Sequence, residues 1–248
     1  MLALYLSVVF GAAILQGLAG FGFGLVCMGI LPLFLPTRVA VVLISVLRAA
    51  PVATTLVQLR RDVSLRRVAP LLVGAVGGVP LGVWFLTSAS PTAVRLALGV
   101  VLTGYALWAL ARPRPTDAPP REPGRGWALL AGWTGGVLGG GFNTGGPPVV
   151  LYAAIAGWQK DVLRASLASY FVTVISLQLS LFAGSGILTW PLLQVQLLAL
   201  PLVVLGTWIG NLLAGRVPQA TFQRGLLLLI LVLGGVYLTR AVRALTGW

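Results

Sequence analysis

The sequence predicts an all-α polytopic membrane protein made of two repeated halves. Three observations predict it: very little charge, apolar stretches of near-spanning length recurring from end to end, and matching glycine-rich breaks on either side of one proline-rich linker. Of 248 residues, 58% are hydrophobic and only 8% are charged, whereas a soluble domain carries about 25% charged residues. The mean hydropathy is +0.99. A multi-pass protein of the plasma (inner) membrane follows, with the lipid bilayer as its surroundings.

The breaks divide the chain into apolar segments at 2–18, 20–36, 39–58, 68–87, 93–111, 127–142, 146–157, 162–183, 188–213 and 222–243. The connection "RRDVSLRR" (60–67) holds four arginines. The linker "RPRPTDAPPREPGR" (112–125) holds four more, with five prolines that forbid a helix. Three parts result: a first transmembrane repeat at 1–111, a cytoplasmic linker at 112–126 and a second repeat at 127–248.

The halves align. A shift of 121 positions puts Gly11 on Gly132, Gly20 on Gly141, Phe21 on Phe142, Gly24 on Gly145 and Ser45 on Ser166. Further on, a shift of 128 puts Gly78 on Gly206 and Gly82 on Gly210. Repeats with interrupted hydrophobic segments at matching places are the sequence signature of secondary transporters.

Residues 2–36 and 127–157 are each too long for one span and break near glycines. If each is a broken helix or hairpin followed by three spanning helices, the halves are inverted. Lys160, Arg164, Arg216 and Arg224 then join the two arginine-rich loops on the cytoplasmic side, leaving Arg38, Arg95, Arg240 and Arg243 outside. If each break is only a kink, eight spans form parallel repeats. The positive-inside bias favours the inverted arrangement.

The breaks point to a binding site. A broken helix in hydrocarbon exposes peptide groups, tolerated where they line a wet cavity or are buried in protein. Helix N-termini attract anions, and glycine lets a ligand approach the backbone. In "GGGFNTGGPP" (139–148) the candidates are Gly140, Gly141, Phe142, Asn143, Thr144 and Gly145, with Pro147 suited to the first turn of a new helix. In "QGLAGFGFG" (16–24) they are Gln16, Gly20, Phe21, Gly22, Phe23 and Gly24, the two phenylalanines acting as walls or gates. The competing reading is close helix packing by small residues, which suits Gly74, Gly78, Gly82, Gly206 and Gly210 better.

Arg48 lies near the middle of the 39–58 segment, where a charge faces a cavity or a partner. The four acids, Asp62, Asp117, Glu122 and Asp161, all lie in loops or at segment ends, so a bound anion would balance Arg48. The alternatives are carbonyls freed at a break before Pro51, or a subunit contact. The repeat register places Ser169 opposite Arg48, with Ser166 and Tyr170 beside it as hydroxyl donors. Gln178 and Asn211 are further polar residues that either bind substrate or join helices.

Several classes are excluded. The net charge of +13 sits between apolar spans instead of on one folded face, so no nucleic-acid partner is expected. Cys27 is the single cysteine and there is no histidine, so neither an internal disulfide nor a metal cluster is expected, and no cofactor is required. With no acid–base pair in the spans, the chain does not read as an enzyme. "GFGFG" lacks the preceding strand of a dinucleotide fold, and neither glycine-rich stretch ends as a phosphate-binding loop does. The N-terminus has no basic region before Arg38, so a cleaved signal peptide is not expected.

The paired segments "GLAGFGFGLVCMGILPLFLP" (17–36) and "GGVLGGGFNTGGPPVVLYAAIAGW" (135–158) resemble the TauE/SafE family of sulfite exporters and related sulfonate permeases. The family's first motif is a denser glycine run closely followed by proline; here Phe21 and Phe23 interrupt it and Pro32 comes late. The resemblance implies transport of sulfite, an organosulfonate or another sulfur-containing anion. Alternating-access export and passive flow through a channel or facilitator both remain open, as does a homodimer.

Overall fold

The computed structural model describes residues 2–19, 22–58, 60–111, 123–158, 160–213 and 219–246. These form ten α-helices and no strand. The first half holds α1 (Leu2–Ala19), α2 (Phe23–Ile30), α3 (Thr37–Gln58), α4 (Leu65–Ser88) and α5 (Pro91–Ala111). The second holds α6 (Arg125–Phe142), α7 (Gly146–Ile155), α8 (Lys160–Gly184), α9 (Trp190–Leu213) and α10 (Gln219–Thr246). The boundaries fall within a few residues of the apolar segments, because glycine and proline stop helices where apolar pattern alone would continue them.

Six helices, α3, α4, α5, α8, α9 and α10, are long and apolar enough to cross a membrane. By contrast α2 has 8 residues and α7 has 10, about 12 and 15 Å of helix at 1.5 Å per residue, well short of a bilayer core. Pro51 lies inside α3 without breaking it. The helix break before Pro51 that the sequence allowed is therefore absent.

The second break turns the chain back. A Cβ on Gly145 would run into the Gly135 carbonyl, and Val149 lies beside Gly135. The Tyr152 hydroxyl reaches the Pro123 carbonyl, at the start of α6, at 3.5 Å. So α6 and α7 form a hairpin that enters and leaves at one end of the molecule. That end gathers Arg66 and Arg67, the start of α6 at Arg125, and Trp158 after α7. The other end gathers the turn after α2, the starts of α3 and α5, and Tyr237 and Arg240 of α10.

Helix pairing exchanges the halves. α6 runs along α4 and α1 along α9, while α5 pairs with α10 and α3 with α8. The first two pairs are in backbone contact. A Cβ on Gly74, Gly78 or Gly82 would strike the carbonyl of Leu129, Trp133 or Val137 respectively, and one on Gly132 would strike that of Leu71. Gly206 and Gly210 sit in the same way against Phe10 and Ile14. Without a hydrophobic force between helices in lipid, this close approach supplies dispersion contact over a long interface. Both pairs are parallel: Tyr5 donates to Gln196 Oε1 at 2.9 Å while Gly210 meets Ile14 and Gly17 further along. Thus α1 starts at the end opposite to α6. The outward faces of α4 and α9 are apolar, with Val73, Trp84, Leu197 and Trp208 exposed, as a lipid-facing surface requires.

Candidate functional site

The two breaks meet at the centre of the helix packing. Among the described residues each contains one left-handed residue: Gly22, with φ 110°, precedes α2, and Asn143, with φ 57°, ends α6. The shift of 121 that aligns the halves puts Gly22 on Asn143. Glycine adopts this conformation freely, and asparagine is among the few other residues that tolerate it.

The end of α6 is held by polar groups from α3 and α8. Asn143 Nδ2 donates to the Val41 carbonyl at 2.9 Å. Ser45 Oγ lies 2.7 Å from the Val41 carbonyl, 3.1 Å from Asn143 Oδ1 and 3.0 Å from Gln178 Oε1, and its single proton serves one of them at a time. Gln178 Nε2 donates to the carbonyls of Gly139 at 3.1 Å and Gly140 at 2.8 Å. The Thr144 amide donates to the Leu138 carbonyl at 3.2 Å, and its hydroxyl reaches the same oxygen at 3.4 Å. These bonds satisfy carbonyls that a helix end would otherwise leave bare in an apolar interior.

Arg48 completes this end from α3. It is 5% exposed, and its Nη1 donates to the Asn143 carbonyl at 2.7 Å. The guanidinium carbon lies 5.1 Å from the centre of the Phe171 ring. Nε and Nη2 have no protein partner. The carbonyl it meets belongs to the second break, not to a break in its own helix. The C-terminus of α6 offers only about half a negative charge in partial dipoles, so a full positive charge is buried beside incomplete compensation.

Arg48, Gln16, Gly22, Gly24, Asn143 and Thr144 line one cavity of about 30 Å³, with Leu25, Val52, Gly146 and Phe171. The first-turn amides of a helix lack partners within it. In α2 the Phe23 amide is taken by Gln16 Oε1 at 3.0 Å, and Gly24 and Leu25, the next residues of the same first turn, line the cavity. In α7, Pro147 and Pro148 have no N–H, so Gly146 supplies the first-turn donor there. The donors therefore come more from the α2 break than the prominence of "GGGFNTGGPP" suggests. Gly24 must be glycine for space: a Cβ would strike the Asn143 carbonyl and come within 3.2 Å of Arg48 Nη1.

The other candidates lie elsewhere. Gly20 and Phe21 are outside the described residues. Phe23 is fully buried in the core, and Phe142 stacks edge-on against Phe85, with ring centres 6.2 Å apart. Gly140 and Gly141 pack on Val79 and Gly82 of α4, and Gly145 packs on Gly135. The Tyr170 hydroxyl donates to the Gly132 carbonyl at 3.0 Å, and Ser169 Oγ bonds the Ala165 carbonyl at 3.0 Å within its own helix. Ser166 Oγ is buried without a partner, away from the cavity lining. The residues not anticipated are Leu25, Val52 and Gly146, which line the cavity, Phe171, which also faces Arg48, and Ser45, which links two elements of the site. The only sequence signal for the last two was position: Phe171 directly follows Tyr170, and Ser45 is one turn before Arg48.

The chain matches the family described as "Sulfite exporter TauE/SafE" over residues 5–237. It is 26% identical over 234 residues to the "Probable sulfite/organosulfonate exporter TauE" of Cupriavidus necator, covering 92% of this chain and 90% of that one. It is 27% identical over 177 residues to the "Probable inner membrane transporter protein TsaS" of Comamonas testosteroni, covering 70% and 72% of the two chains. No solved structure matches. Paired glycine breaks on a helical membrane scaffold, with a family match that runs through nearly every helix, lead to one assignment: the chain belongs to the TauE/SafE sulfite exporter family.

Proposed function

We propose that this chain exports small sulfur oxyanions, sulfite or organosulfonates, as a secondary transporter working by alternating access. Membership of an exporter family makes it a multi-pass transporter of the inner membrane and not an enzyme. The observation that carries the substrate reading is Arg48: a buried cation with Nε and Nη2 unpartnered, lining the cavity where the two breaks meet. An oxyanion there would receive charge-assisted bonds from the guanidinium and neutral ones from the Gly24, Leu25 and Gly146 amides. A cavity of about 30 Å³ holds little more than one water, so an anion enters only when the walls move apart, which supports a carrier over an open pore. The two halves would act as inverted repeats, with the arginine-rich loops cytoplasmic.

No Asp, Glu or His lies within the apolar spans to relay a proton. We take the drive to be the anion gradients and the membrane potential, which favours anion export by about 2.3 kcal/mol per charge per 100 mV. Counterflow in proteoliposomes tests the reading: unlabelled sulfite inside should accelerate uptake of labelled sulfite. Flux that neither saturates nor shows counterflow would establish a channel instead. Flux of a fully ionised sulfonate driven by a proton gradient would refute the proposed drive.

A further inference from the structure

We propose a second anion site at the end of the molecule away from the arginine-rich loops, formed by Arg38, Arg95 and Arg240, that takes an oxyanion group with S–O or P–O oxygens. It does not depend on the role given to Arg48. These three arginines line one cavity of about 520 Å³, together with the turn after α2, the first turn of α5 and Tyr237. The site is built, because Arg38 is held in place: Nε donates to the Leu86 carbonyl at 2.8 Å and Nη2 to the Ala89 carbonyl at 2.7 Å. That fixes the guanidinium plane while leaving Nη1 free of these two bonds. Arg95 and Arg240 are exposed and extend from α5 and α10. The Tyr237 hydroxyl is already committed to the Gly29 carbonyl at 2.7 Å, so the arginines are the charged donors this cavity offers, with the Thr37 hydroxyl as a neutral one.

Charge balance points the same way. Among the described residues, Asp62 and the backbone of Asp161 lie at the opposite end, and no carboxylate lines this cavity. Three cations around one concavity repel one another and focus a positive potential into it, which an oxyanion relieves. On the proposed sidedness these are also outward arginines, which the positive-inside bias disfavours. Guanidinium forks match the oxygen spacing of sulfate, sulfonate and phosphate groups. The cavity is large enough for a free anion or for the phosphate of a lipid headgroup. It sits at the C-terminal end of α2, whose N-terminal end lines the central cavity, so a bound anion is one short helix away from Arg48.

The test uses full-length protein in phosphatidylcholine nanodiscs, with radiolabelled sulfate as the probe. Wild type, Arg48→Ala and the double variant Arg95→Gln/Arg240→Gln are compared. Both substitutions in the double variant are on exposed side chains and leave the core untouched. Wild type and Arg48→Ala should each show a saturable sulfate site that the double variant weakens about tenfold or more. A parallel arm uses phosphatidylglycerol nanodiscs. Sulfate binding lost there, with phosphatidylglycerol retained through detergent by wild type but not by the double variant, identifies a headgroup as the occupant. Sulfate binding that persists there identifies a free anion. Equal sulfate binding and equal lipid retention by wild type and the double variant would overturn the site. Loss of sulfate binding in Arg48→Ala alone would overturn it too, by showing only the central site.

Discussion

Replacing Arg48 by the shorter, neutral glutamine separates binding from structure, because the two readings predict loss of different quantities. In the ligand-free protein Arg48→Gln removes the bond to the Asn143 carbonyl and the contact with Phe171. A bond to a charged group is worth about 1.5–3 kcal/mol, and a cation–π contact about 0.5–2 kcal/mol. The same change removes a buried charge without a carboxylate partner, whose desolvation costs several kcal/mol. The opposing terms are of similar size and largely cancel, so stability without ligand should fall by well under the about 2–5 kcal/mol that the two lost contacts alone would cost. Binding has no such offset. An oxyanion on Nε and Nη2 loses at least one charge-assisted contact, about 1.5–3 kcal/mol, or about ten- to hundredfold in affinity.

The assay is thermal unfolding of purified protein with and without sulfite at a hundred times the wild-type Kd. Wild type should gain about 2.7 kcal/mol, a variant binding tenfold more weakly about 1.4, and one binding hundredfold more weakly about 0.4. Arg48→Lys should fall between, keeping charge but losing the planar fork. A Gln variant that unfolds far more easily without ligand, yet keeps the full sulfite shift, would assign Arg48 to holding α6 and refute the reasoning.

Three further outcomes follow from the packing. Asn143→Gly should be less destabilising than Asn143→Ala: both lose the bonds to Val41 and Ser45, but only alanine also resists the left-handed backbone, at about 1–2 kcal/mol, and unfolding midpoints would rank the two. Gly78→Val should abolish folded expression, since the side chain would be driven into the Trp133 carbonyl on α6; a well-folded variant, judged by size-exclusion profile, would contradict the close helix contact. Because Cys27 is buried, wild type should give little background with an impermeant thiol reagent. Added to intact cells, that reagent should then label Ser185→Cys but not Asp62→Cys, and the reverse pattern would invert the proposed sidedness.

Much of the fold was legible because it depends on local chemistry. Apolar runs must be helical in lipid to satisfy their own peptide groups, and glycine–proline clusters stop them, so the segments and their breaks could be read directly. The register of 121 also sets Gly22 against Asn143, and both take a left-handed backbone beside a break. Arg48 stood out by elimination, since no acid in the apolar segments could balance it.

What the sequence left open was which distant groups answer the exposed ones. Asn143 was expected to meet a ligand with its side chain, yet that side chain bonds Val41 and Ser45, about a hundred positions away in sequence. The consecutive glycines at 139–141 looked like ligand space, but Gly140 and Gly141 press on α4, and Gln178 bonds the carbonyls of Gly139 and Gly140. Composition determined that this chain crosses a membrane in helices, where they break, and that one cation lies buried without a carboxylate. Only the tertiary structure decided that α7 turns back along α6, that Arg48 meets the Asn143 carbonyl beneath Phe171, and that two of its nitrogens are buried without a protein partner. The reason is physical: helix formation and breaking act over a few residues, while the pairing of buried polar groups is set by whichever helices the packing brings together.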